Sequence, residues 1–290
     1  MRLRVCQKFD AFVEMKLNVK RGYVETSFGQ IHFRYAGDKS NPAISIFHPS
    51  PGSARQLHFL IEALSKNFFV YAPDTPGNGL SDPLNKEVPE IEDYAHVHYL
   101  ALKKLKINKT HLFGSHTGAS IAASIVKIDP KIVDRLFLDS VGLYSSSERS
   151  ALLKNYAPTV KTKITGEHLL WTWNFIRDQW LFWPWYEHKA KNRLNRGLPE
   201  LSYLNDMCVD VLQSLQTYHL SYRAAFRFNK EACFKSIKCP TTISSSKDDM
   251  LFKYFPKLQK IIPNSSSMIH EGWQDKKSAL KTAKLIFSEI

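Results

Sequence analysis

The stretch LFGSHTGASIAASIV, Leu112 to Val126, sets Gly114 and Gly118 on either side of Ser115, His116 and Thr117. An apolar run leads in and a run of small residues leads out, which predicts a strand, a sharp turn and a helix. At the apex of a Gly-x-X-x-Gly turn the backbone is strained, and the side chain projects where it can attack a substrate or take a proton. Ser, Cys or Asp suits that place; here His116 occupies it. An imidazole with a pKa near 6.5 is largely neutral at pH 7 and needs no activating partner. Sliding the frame by one would put Ser115 at the apex, but then Phe113 and Thr117 would stand where glycines belong.

The elements around this turn alternate between strand and helix. Tyr23 to Gly37 alternates around Gly29 and predicts a hairpin. Ala43–His48, Phe68–Asp74, His111–Gly114 and Arg135–Val141 are short apolar runs, expected as buried strands. ARQLHFLIEALSK spaces Leu57, Leu60, Ile61 and Leu64 as a helix does. PEIEDYAHVHYLALKKL has acids at its start and lysines at its end, as the helix dipole prefers. Such alternation implies a mostly parallel sheet with helices on both faces.

Near Gly142 the pattern breaks. Residues 144–235 are expected as a helical insertion between two parts of a core, 19–143 and 236–290, with 1–18 as an N-terminal extension. The insertion holds WTWNFIRDQWLFWPWY, Trp171 to Tyr186, with five of the six tryptophans. That exceeds what a small insertion's own core needs, so Trp171, Trp180 and Trp183 are expected to face a substrate. His168, Arg177 and Asp178, and further on His219, Tyr222 and Arg223, read as structural. Arg177 could instead meet a substrate carboxylate.

Composition narrows the classes. The chain has 290 residues, 43% hydrophobic, enough for a sizeable core. No apolar run nears the roughly 18 residues of a membrane helix, and the N-terminus lacks the uninterrupted apolar stretch of a signal peptide. A cytoplasmic protein without a membrane partner is expected. Net charge is +13, but the Lys and Arg are dispersed. No nucleic-acid motif is present, and KKLKINK reads as a solvated helix end. Cys6, Cys208, Cys233 and Cys239 have no metal-ligand spacing and read as reduced thiols. No metal or organic cofactor is implied. The expected partner is a small-molecule substrate, with a homodimer possible.

Four segments occur in a telling order: FHPSPGS (Phe47–Ser53), APDTPGNGLSDP (Ala72–Pro83), GSHTG, and CPTTISSSKDD ending at Asp249. With these the chain resembles the α/β-hydrolase fold, in the capped group of epoxide hydrolases, haloalkane dehalogenases and carbon–carbon bond hydrolases. GSHTGA resembles a variant elbow of a bacterial subgroup of such proteins.

The resemblance implies roles. An oxyanion hole would come from the backbone N–H groups of Thr117 and Ser50, although Pro49 replaces the usual glycine of that loop. His48 matches a family histidine; it either reaches substrate or pins its loop. The triad acid would be Asp249, with Asp248 and Asp139 as alternatives. The base position falls on His270, although Gly-His is absent and Gly272-Trp273 could fill that place. Three readings stay open. In the first, His116 is nucleophile or general base of a hydrolase acting on a bulky apolar or aromatic ester-like carbonyl. The second is a lyase, cyclase or isomerase using His116 to move a proton. The third is a binding protein without catalysis.

Overall fold

The computed structural model describes residues 19–262 and 264–290. The expected N-terminal extension, 1–18, lies outside the described residues. Eight strands form one sheet: β1 (Lys20–Thr26), β2 (Gly29–Ala36), β3 (Ala43–Phe47), β4 (Phe69–Pro73), β5 (Thr110–Ser115), β6 (Val133–Asp139), β7 (Thr241–Ser246) and β8 (Ser266–His270). Their order across the sheet is β1-β2-β4-β3-β5-β6-β7-β8. The hairpin β1–β2 and the β2–β4 pair are antiparallel, and every other pair is parallel. The predicted mostly parallel sheet is therefore present. In such sheets ligands bind beyond the carboxyl ends of the strands. His48, His116, Asp139, Asp249 and His270 all lie at or just past such ends.

Helices cover both faces. Helix α1 (His58–Leu64) and α10 (Lys276–Ser288) pack on one face with Ile44, Ile46, Val70, Phe113 and Phe137. Helices α2 (Ile91–Lys104) and α3 (Thr117–Ile128) pack on the other with Phe47, Leu112, Leu136 and Leu138. Glu90 and Asp93 close a reciprocal capping box at the start of α2, and Lys103 and Lys104 sit at its end, where the helix dipole favours cations. Small residues bring α3 close to the sheet. A Cβ on Gly118 would lie 2.2 Å from the Phe47 carbonyl oxygen, and one on Gly114 would lie 2.2 Å from that of Gly118. No side chain fits at either position.

Between β6 and β7 run five helices: α4 (Ser146–Asn155), α5 (Glu167–Leu181), α6 (Leu201–Gln213), α7 (Tyr218–Arg227) and α8 (Lys230–Lys235). Tyr156, Phe175, Ile176, Leu204, Val211, Tyr218 and Phe226 give this insert an apolar centre of its own. Polar bonds tie it to the sheet side. Arg55 Nη2 reaches Asp210 Oδ1 at 2.6 Å, and Ser53 Oγ donates to Asp210 Oδ2 at 2.8 Å. The hydroxyls of Ser50 and Ser221 meet at 2.8 Å. Arg227 Nε donates to Glu90 at 2.8 Å. After β7 come α9 (Phe255–Ile261) and β8.

Two sequence features resolve here as scaffold. Asp74, in the segment APDTPGNGLSDP, is buried. It binds His32 Nδ1 at 2.8 Å and accepts the N–H groups of Ala54 and Leu80, so it knots β2, β4 and two loops together. Cys208, Cys233 and Cys239 are free thiols. No described helix is long and apolar enough to cross a membrane.

Candidate active site

His116 stands between β5 and α3 with φ 53° and ψ −109°. Positive φ is rare for a residue with a Cβ, and it persists only where the surroundings enforce it. Here they do: the His116 N–H donates to the Asp139 carbonyl at 3.0 Å, and α3 is pressed to the sheet by its small residues. The apex is therefore His116. Ser115 lies below it, fully buried, with its hydroxyl donated to Asp139 Oδ2 at 2.7 Å.

The imidazole points into a cavity between the strand ends and the insert. Its Nε2 is 3.0 Å from Asp249 Oδ2. Asp249 Oδ1 in turn accepts the Leu251 N–H at 2.8 Å, which fixes the carboxylate. With the Nε2 proton on Asp249, Nδ1 carries the lone pair, and no described residue bonds to it. Burial alone would lower the His116 pKa. The charge and hydrogen bond of Asp249, with help from Asp139, overcome this and hold it above the ordinary 6.5. The Asp249 carboxyl is held below the usual range: burial opposes ionisation, but His116, the Leu251 N–H and Arg196 outweigh it. Asp248 is exposed and does not line the cavity.

His270 and Asp139 form a second pair, apart from the first. His270 Nε2 is 2.7 Å from Asp139 Oδ1, with both side chains 1% exposed. Ser244 Oγ also donates to Oδ1, at 3.0 Å. His270 Nδ1 accepts the Gly272 N–H at 2.9 Å, so the ring proton sits on Nε2 and goes to Asp139. The assignment follows from the bonding pattern. His270 borders the cavity, yet both nitrogens are engaged within the protein. Of the three candidate acids, Asp139 pairs with His270 and Asp249 with the apex, so two separate His–Asp pairs form.

Ser50 and Thr117 both line the cavity. Among the described residues neither backbone N–H has a protein acceptor. His48 does not reach the cavity: it is fully buried, its Nε2 accepts the Thr75 N–H at 2.9 Å, and its Nδ1 bonds the Pro49 carbonyl at 3.0 Å. It pins its loop, so its expected contact with substrate is corrected. Trp180 and Trp183 are cavity walls. Trp171 is not; it stacks on Phe175 with ring centres 4.8 Å apart, inside the insert. Arg177 donates to Asp178 at 2.7 Å rather than facing a substrate.

Sequence reasoning missed much of the rest of the lining. Tyr156 and Tyr222 converge on Gln179 Oε1, the Tyr222 hydroxyl at 2.7 Å. Arg196 lies over the Trp180 ring, 4.5 Å from its centre, and donates to the Gln179 and Trp180 carbonyls. Tyr144, Tyr203, Met207 and Lys230 complete much of the wall. No described group of three or more His, Cys, Asp or Glu side chains is placed to hold a metal ion.

Comparison with known proteins agrees with this architecture. The family described as "alpha/beta hydrolase fold" matches residues 42–274. An epoxide hydrolase from an endophytic Streptomyces superposes with a TM-score of 0.73 at 16% identity, covering 94% of this chain and 95% of that one. The enol-lactonase from Burkholderia xenovorans gives 0.70 at 16% identity over 92% and 99%. An uncharacterized Mycobacterium tuberculosis protein is 32% identical over 110 residues, 38% of this chain and 31% of its own length. The family match spans most of the chain and takes in the loop after β3, the elbow and both His–Asp pairs, so the chain belongs to the α/β-hydrolase fold family.

Proposed function

We propose that the chain is a hydrolase in which the His116–Asp249 pair is the general base, acting on an activated carbonyl attached to an apolar or aromatic body. The observation that carries this is the imidazole at the elbow apex in the cavity lining, tied by Nε2 to Asp249 and with Nδ1 bonded to no described residue. Water bound at Nδ1 gives up a proton to it. The water oxygen bonds to the carbonyl carbon, and the carbonyl pair moves onto oxygen. The Ser50 and Thr117 N–H groups are suited to hold that oxyanion, each worth on the order of 3 kcal/mol. Collapse expels the leaving group, which takes the proton back from Nδ1. Asp249 keeps the ring oriented and stabilises the imidazolium, as the acid of a triad does.

The aromatic lining supports an apolar substrate body. A proton-shuttling reaction without water is the second reading. It is favoured by the absence of a Ser, Cys or Asp at the apex, since an enolisable carbonyl needs only this base and an oxyanion site.

The test is turnover of aryl esters and lactones by the wild type and by His116→Ala. Wild-type turnover above free imidazole, lost in His116→Ala, is expected. The wild-type rate should rise with pH through an apparent pKa above 6.5. Equal, background-level rates in both proteins would defeat the hydrolytic reading and leave the proton-shuttling one to be tried.

A further inference from the structure

The mechanism above leaves one buried amine of the cavity unused. Lys230 begins α8, is 8% exposed, and lines the wall with Tyr144, Ala225 and Phe226. Its Nζ donates to the Ala225 carbonyl and lies 5.5 Å from the centre of the Tyr144 ring. No described carboxylate lies within ion-pair distance of it. Lys230 also borders a surface depression formed with Gly142, Arg149, Asn229 and Lys257. Lys230 thus borders both the reaction cavity and that depression, with its amine beside the cavity-wall residues Tyr144 and Ala225. An ammonium held in an apolar wall without a counter-ion is the condition under which lysine becomes a nucleophile.

We propose that Lys230 is a second reactive group of this cavity, forming an imine with the aldehyde or ketone of an apolar or aromatic carbonyl compound. The neutral amine's lone pair makes the new C–N bond. Both amine protons leave with the carbonyl oxygen as water, so no further reactant is needed. Four charged or titratable groups face Lys230 or the depression beside it: Arg149, Tyr144, Glu231 and Lys257. Burial, with Arg149 adding, brings the amine down to about 7. An exposed lysine with a pKa near 10.4 is neutral in only about one molecule per few thousand at pH 7. Lys230 should therefore react about a thousandfold faster by that factor alone. The site does not depend on His116, so it stands or falls apart from the hydrolytic reading.

The experiment is brief treatment of the whole protein with benzaldehyde and cyanoborohydride at pH 7, followed by peptide mass mapping. A benzyl group on Lys230 ahead of the exposed lysines, retained in His116→Ala, is the expected result. Labelling of Lys230 should rise with pH through about 7, while that of the exposed lysines keeps rising toward alkaline pH. Lys230 unlabelled, or labelled no faster than exposed lysines, would overturn the proposal. Lys230→Met supplies the adduct-free control. The wild-type labelling decides the question even should that variant fold poorly.

Discussion

His116 and Asp249 hold each other in their charged forms, and the pH window of that attraction can be read from the two shifts. The raised His116 pKa stabilises the fold fully below the unfolded histidine value and loses that contribution as pH rises through the folded value. The lowered Asp249 pKa contributes above the unfolded carboxyl value and is lost as pH falls through the folded one. The pair therefore stabilises most between about pH 4 and 6.5. Denaturation of His116→Ala and Asp249→Asn against the wild type should show the largest loss in that window and little in alkali. In the rate profile Asp249→Asn should move the apparent pKa down and lower the plateau. His270 belongs to a different account. Its loss takes one of three hydrogen bonds from the buried Asp139, leaving those of Ser115 and Ser244, so His270→Ala should cost about 1.5–3 kcal/mol of stability without moving the pKa of the rate profile. A His270→Ala protein that folds normally but is inert would contradict this. The elbow was legible from residue types, because Gly-x-X-x-Gly before small residues is a local signal. Asp139 was one of three candidate acids for His270, but the choice among them was not legible, since Ser115, Ser244 and Gly272 settle it from three separate elements.

At the scale of elements, the approach of α3 to the sheet decides whether the apex can exist. Gly118→Ala forces a Cβ against the Phe47 backbone at 2.2 Å, and backbone cannot swing aside as a side chain can. Overpacking of this kind costs about 1–3 kcal/mol or more, and the shift falls on Thr117 N–H and the loop after β3 together. Gly118→Ala should lower the melting temperature and lower kcat in a protein that still binds substrate analogues. Unchanged stability would mean that α3 has more freedom than its contacts allow. The strands and helices themselves were readable from period and caps, as in α2 with acids at one end and lysines at the other. Trp171 was misread because a helix crowded with aromatics gives no phase to tell its inner face from its cavity face. Trp171 and Phe175 lie one turn apart and stack on each other, whereas Trp180, in the last turn of α5, and Trp183, past its end, reach the cavity.

Across the whole molecule, polar contacts hold the insert to the sheet side, and among its described ion pairs there Arg55–Asp210 is the most buried. Burial lifts the Asp210 carboxyl to about 6 despite Arg55 and Ser53. Folding thus favours its protonated form, so this residue's contribution falls as pH rises from about 4 to about 6. Asp210→Asn should flatten that part of the stability curve and cost under about 1 kcal/mol at pH 7, because it removes the charge whose burial is unfavourable. Arg55→Ala leaves the buried carboxyl with Ser53, and its protonation limits the loss, so this variant should cost about 1–3 kcal/mol. Equal losses in the two variants would show that the pair acts through attraction rather than through avoided desolvation. Such contacts across distant segments could not be foreseen. Asp210 in α6 and Arg55 in the loop after β3 are ordinary charged residues in the sequence, among 40 basic and 27 acidic ones.

The two separate His–Asp pairs also bear on how such a centre could have arisen and whether it could be undone. In the ordinary arrangement one histidine serves the apex nucleophile, and a single substitution at the apex is reversible. Here His270 is turned to Asp139 with its other nitrogen closed by Gly272, and Asp249 faces the apex. His116→Ser would give a serine without a base, and burst kinetics with an aryl ester should show no acyl-enzyme. Recovery would require His270 to be released and re-aimed at the same time. Neither change restores a base for the serine alone, so the arrangement behaves as a ratchet, closed to return by a single step.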